Sequence, residues 1–136
     1  MREIFNIIIA DKNPHVREFL QRELINEGYN VRQAVSGKDV LEQIYSQDSI
    51  DLLILDPDLP DADRLFLFKK LHDRIPALPV VIHAHLESAD MKERTYGVVF
   101  VEKNGGSIEL LKQVLFDILQ HDKNRFENAS EEFQEK

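Results

Sequence analysis

The chain has 136 residues, 43% of them hydrophobic and 31% charged, with no cysteine and a formal net charge of -8 at pH 7. That length suits one domain with its own core, and the missing cysteines exclude a disulfide framework, thiol catalysis and thiolate metal sites. The acidic balance, with lysines and arginines scattered rather than clustered, argues against nucleic acid and disfavours an anionic membrane surface.

MREIFNIIIAD has no signal-peptide pattern, because its apolar run is short and meets Asp11 and Lys12 at once. No segment approaches membrane-spanning length, so a cytoplasmic protein is expected. Ile4 to Ala10 reads as a buried strand. Asn13 and Pro14 then supply an N-cap and a first-turn proline. Val16, Phe19, Leu20, Leu24 and Ile25 follow at helical spacing, and Gly28 closes the helix. A strand is predicted over Tyr29 to Val35, and Ser36 caps a second helix with Val40, Leu41, Ile44 and Tyr45 on one face.

Asp51 to Asp56 is a third strand, followed by a turn and a helix that turns Leu65, Leu67, Phe68 and Leu71 inward. Pro79 to His83 is a fourth strand, Glu87 to Thr95 offers a short helix, and Val98 to Val101 is a fifth strand. Ser107 opens a last helix with Leu110, Leu111, Val114, Leu115, Ile118 and Leu119 on its buried side. The domain is expected over residues 1–121. The acidic stretch 122–136, poor in core residues, reads as a polar helical extension or a disordered tail.

Strands alternating with helices imply an α/β fold, a flavodoxin-like (βα)5 doubly wound sheet of five parallel strands in a single domain. Continuous apolar strands fit a sheet covered on both faces. Chemistry in such sheets gathers at the carboxyl ends of the strands, near the switch point. That rule nominates Asp11, Asp56, the turn from His83 to His85, and Lys103. A Rossmann domain or a P-loop protein would carry a glycine-rich phosphate loop after the first strand, and the turn here is Asp11-Lys12-Asn13-Pro14.

Five segments in this order resemble a response-regulator receiver domain of two-component signalling: IIIADKNPHVREFL, EGYNVRQAVSGKDVLEQI, DLLILDPDLPDAD, PVVIHAH and GVVFVEK. The resemblance implies that Asp56 accepts a phosphoryl group from a phosphohistidine. It puts Asp11 at the first acid of the pocket, Lys103 at the phosphate-pairing lysine and Phe100 at the aromatic switch position. It also implies a magnesium ion held by Asp11, Asp56 and the backbone carbonyl of Asp58. The implied partners are a histidine kinase or phosphotransfer protein and a downstream target protein, with a homodimer compatible and no enzymatic activity of its own.

The departures fall in the pocket. Lys12 stands where the family has its second acid, Ala84 where it has a threonine or serine, and Asn104 where a proline usually follows the lysine. Pro57 removes a backbone N–H beside Asp56. With Lys12 for a carboxylate the pocket is close to neutral without metal, so magnesium binding is expected to be weak or absent, and Lys12 is expected to act as a tethered substitute. An ion pair of Lys12 with Asp56 is one arrangement, and Asp58, Asp61 and Asp63 could restore anionic character. Ala84 cannot make the hydroxyl contact that couples phosphorylation to the aromatic residue.

Two other functions stay open: a phosphorylation-independent pseudo-receiver working by protein contact, and, more weakly, a small α/β hydrolase. His83 and His85 face the same side of their strand, one expected packed and one exposed, and without a third ligand zinc is not expected. His15 and His72 read as helix-surface residues. Phe66, Tyr96 and Phe100 are left as apolar candidates for a partner surface.

Overall fold

The computed structural model describes residues 4–46, 49–61, 64–73, 77–85 and 99–120. Strands β1 (Asn6–Ala10), β2 (Asn30–Ala34), β3 (Leu52–Leu55), β4 (Val80–Ala84) and β5 (Val99–Glu102) form one sheet in the order β2-β1-β3-β4-β5. Every neighbouring pair is parallel. Helices α1 (Pro14–Asn26), α2 (Gly37–Ile44) and α3 (Arg64–Asp73) are joined by α4 over 107–120. This is the expected doubly wound architecture. The predicted helix at Glu87 to Thr95, the stretch 122–136, Tyr96, Asp63 and the Leu65 side chain lie outside the described residues.

Period-two alternation splits the strand residues between two cores. Ile8, Ala10, Leu53, Leu55, Val80, Ile82 and Ala84 face α2 and α3, where Val40, Ile44, Leu67, Phe68 and Leu71 are buried. Ile7, Ile9, Leu52, Ile54, Val81 and Val101 face the opposite way, onto Leu20 and Leu24 of α1 and Leu111, Leu115 and Leu119 of α4. The central strands β1, β3 and β4 are therefore covered on both sides, which is why they are largely apolar, while the edge strands β2 and β5 keep exposed residues.

Local signals fix the helix starts. Asn13 is the N-cap of α1, its side chain accepting from the His15 amide at 2.9 Å, and Pro14 fills the first helical position. Gly28 leaves α1 with φ of 97°, a conformation open to glycine. Ser36 caps α2, accepting from Asp39 N at 3.0 Å. Asp61, from the loop after β3, adds its carboxylate to the same helix end, accepting from Gly37 N at 2.7 Å and Lys38 N at 3.1 Å. Those two amides hold the Asp61 carboxyl below the usual carboxylate range. Replacing the cap, Ser36→Ala, is expected to lower stability by about 1 kcal/mol, read by urea denaturation.

Four inward assignments are corrected. Tyr45, Phe19, Ile25 and Leu110 are exposed. Tyr45 falls after the last residue of α2, and its hydroxyl donates to the Lys70 carbonyl at 3.1 Å. Phe19 instead lies under the Arg22 guanidinium, 5.6 Å from the ring centroid. In α4 the buried stripe runs through Leu111, Leu115 and Leu119, which turns Leu110 away by one helical step.

Candidate functional site

The order of the sheet places β1 beside β3, with the chain leaving β1 towards one edge and β3 towards the other. The crevice at that switch point, outside the carboxyl ends of the strands, is the expected place for a ligand. Asp11 follows β1, Asp56 follows β3 and Lys103 follows β5. The Asp56 amide donates to the Ala10 carbonyl at 2.9 Å, so the two acids emerge side by side.

Lys103 joins them. Its ammonium lies 2.6 Å from Asp11 Oδ2 and 2.5 Å from Asp56 Oδ2. The carboxylates are almost fully buried, at 3% and 7% side-chain exposure. Their other oxygens are also engaged. Asp11 Oδ1 accepts from Asn13 N and Asp56 Oδ1 from Asp58 N, each at 2.9 Å. Burial alone would lower the Lys103 ammonium, but its hydrogen bonds to Asp11 and Asp56 and their charges outweigh this and raise it above the ordinary lysine value.

Arg17 supports the first acid from behind. Its Nη1 donates to the Asp11 carbonyl at 2.7 Å, while Nε donates to Gln33 Oε1 at 3.0 Å. Gln33 in turn donates to Gln21 Oε1 at 2.5 Å, which ties β2 to α1. The turn carrying Asp11 is thus held from the backbone as well as from the side chain. In the sequence Arg17 stands out only through the family resemblance.

Lys12 does not reach into the acid pair. It pairs with Asp58 Oδ2 at 2.7 Å, on the rim, with both side chains about half exposed. The hydrogen bond to Asp58 and that residue's charge raise the Lys12 ammonium, and Asp56 and Asp11 raise it further. This corrects the expected Lys12–Asp56 pair. Asp61 is likewise diverted from the pocket, since its carboxylate caps α2.

A divalent ion needs several hard oxygens pointing at one place. Here the facing oxygens of Asp11 and Asp56 hold Lys103, and Lys12 stands where the resemblance puts a second acid. Among the described residues no group of three or more His, Cys, Asp or Glu side chains is arranged to hold a metal ion. The donor set does not fit a magnesium site of the kind the resemblance implies.

Ala84 is fully buried, and its carbonyl accepts from the Lys103 amide at 2.9 Å. Phe100 is half-buried against the α2–α3 core. His83 points to the other face and is buried, with Nε2 at 3.1 Å from Ser107 Oγ, while His85 is exposed. His15 and His72 are on the surface, as is Phe66, beneath the Lys70 ammonium.

The sequence matches the family model "Response regulator receiver domain" over residues 7–115. The sensor protein EvgS of Escherichia coli (strain K12) is 33% identical over 117 residues, covering 86% of this chain and 9% of EvgS. The chain therefore spans under a tenth of that relative. NtrX from Brucella abortus superimposes with a TM-score of 0.80 at 25% identity, over 94% of this chain and 29% of NtrX. TrrA from Thermotoga maritima is similar in two structures, each covering 82% of this chain and 96% of TrrA. One is in complex with Mg(2+)-BeF, at 23% identity and a TM-score of 0.72. The other is in complex with the histidine kinase ThkA, at 25% identity and a TM-score of 0.69.

Proposed function

The chain belongs to the response regulator receiver domain family of two-component signalling, and on that premise we propose that it acts in a phosphorelay with Asp56 as the phosphoryl acceptor. The observation that carries this reading is the burial of Asp56 beside Asp11 under the Lys103 ammonium. Phosphoryl transfer asks little covalent work of a protein; it asks for an acceptor in line and cations at the phosphoryl oxygens. Asp56 offers the attacking oxygen. Lys103, already 2.5 Å from that carboxylate, is placed to follow the charge onto the new phosphoryl group.

The donor is a phosphohistidine on a histidine kinase or phosphotransfer protein, and the output is contact with a downstream target. The kinase bound to TrrA supports the first half of this. A cavity of about 420 Å³ beside Lys103, lined by Val16, Phe19 and Leu20 of α1, gives an approaching protein an apolar surface next to the acceptor. No nucleic-acid or membrane partner is assigned; no described helix is long and apolar enough to cross a membrane. A cytoplasmic location and a homodimer are compatible with this role, and the domain is an acceptor and binding module rather than a turnover enzyme.

A second reading, the phosphorylation-independent pseudo-receiver, draws on Ala84, which supplies no hydroxyl to couple a phosphoryl group to Phe100. The two readings part on one experiment. Incubation with acetyl phosphate and magnesium is expected to add a single phosphoryl group by intact mass, absent from Asp56→Asn. An adduct that survives in Asp56→Asn, or no adduct at all, rejects the acceptor assignment.

A further inference from the structure

Both members of the rim pair are tied to the pocket acids through the backbone. Lys12 lies between Asp11, whose carbonyl Arg17 clamps, and Asn13, whose amide donates to Asp11 Oδ1. Asp58 donates its own amide to Asp56 Oδ1. The 2.7 Å bond between their side chains therefore spans the mouth of the site, from the turn after β1 to the loop after β3. Asp56 and Asp11 both act on the Lys12 ammonium, so it already lies in the field of the carboxylates below it.

We propose that the Lys12–Asp58 ion pair is an exchangeable latch: once Asp56 carries a phosphoryl group, Lys12 leaves Asp58 for the phosphoryl oxygens, and the site holds this tetrahedral oxyanion between two lysines instead of a divalent ion. The inference rests on Asp56 being the acceptor. The two carboxylates of the pocket and Asp58, set against Lys12 and Lys103, leave a single net negative charge before transfer. With acetyl phosphate, an Asp56 oxygen bonds to phosphorus as the bond from phosphorus to the acetate oxygen breaks. Acetate leaves with the electron pair and no proton moves. Asp56 then bears a phosphoryl dianion in place of a carboxylate monoanion.

An exposed ion pair is held weakly, because water and salt screen it. A phosphoryl group offers a lysine a higher charge and three strong acceptor oxygens. The exchange therefore runs towards the phosphoryl group, and Lys12 is anchored beside Asp11 on the side from which it must reach. It also gives phosphorylation an outlet that needs no hydroxyl at position 84. The departure of Lys12 changes the charge pattern at the mouth of the site, where a partner can read the change.

The test compares phosphorylation by acetyl phosphate in EDTA and in magnesium, by intact mass, for the wild type, Lys12→Gln and Lys12→Asp. The side chain of Lys12 is more than half exposed, so both variants should fold. The wild type is expected to react at the same rate in both buffers. Lys12→Gln should react about a hundredfold or more slowly, as when one oxyanion donor is removed. Lys12→Asp should become magnesium-dependent and should show magnesium-induced amide NMR shifts at Asp11 and Asp56 that the wild type lacks. A wild-type adduct that forms only with magnesium, or a Lys12→Gln protein as fast as the wild type, overturns the latch while leaving Asp56 as acceptor. No wild-type adduct in either buffer overturns the acceptor assignment and the latch together.

Discussion

Replacing Lys103 by methionine is expected to cost about 3–5 kcal/mol of stability, the range for removing one partner of a buried ion pair. The reason is the company the ammonium keeps. Asp11 and Asp56 are 3% and 7% exposed, and Lys103 is the cation that contacts them both. Methionine fills the space of the lysine stem but leaves two buried carboxylates facing one another. The backbone amides of Asn13 and Asp58 still donate to them, yet neutral donors do not cancel a pair of like charges.

The double variant Lys103→Met/Asp11→Asn has one carboxylate left and should regain part of the loss, a non-additive outcome. A loss under about 1 kcal/mol, the range of exposed pairs, would show that water screens the acids better than their burial implies.

The alternation of apolar runs and helical spacing was enough to read the sheet, because central parallel strands covered on both faces read as near-continuous apolar runs. The strand-end rule likewise reached Asp11, Asp56 and Lys103 from sequence, since it depends only on where apolar runs stop. What stayed illegible depends on side-chain reach. Lys12 could bond any of several carboxylates, and only the tertiary position of the loop after β3 selects Asp58. Asp61 read as a spare pocket acid because nothing local says that the start of α2 lies within its reach. Tyr45 read as inward for a different reason. Its spacing continues the apolar face of α2, but the helix ends at Ile44 and the chain turns the ring outward.

The wild type is expected to lose about 2 kcal/mol of stability between pH 7 and pH 5 through one residue, His83. The imidazole is 4% exposed, with Nε2 on Ser107 Oγ at 3.1 Å and no hydrogen-bond partner for Nδ1 among the described residues. Burial pushes its pKa down from 6.5 to about 4, and the nearby Lys103 charge adds to this, as His85 does. Asp11 and Asp56 pull the other way without prevailing. Well above pH 6.5 the ring is neutral in both states and contributes no pH dependence. As pH falls below that value the unfolded chain takes up a proton that the folded chain refuses, so stability drops until pH reaches the folded value near 4.

Leucine at this position cannot titrate. His83→Leu should therefore show a fall between pH 7 and pH 5 that is smaller by about 2 kcal/mol, and the wild-type imidazole proton NMR shift should titrate with a midpoint near 4. Equal acid losses in the two proteins would reject the assignment. The position of the ring says where the acid sensitivity acts. Ser107 is the first residue of α4 and follows shortly after Lys103, so a charged His83 sets a cation beside the pocket lysine. The Lys103 ammonium gains its hold on Asp11 and Asp56 from being the cation they share, and a second positive charge behind it weakens that hold. Acid should thus loosen the acceptor site in the wild type, and His83→Leu should remove that acid effect.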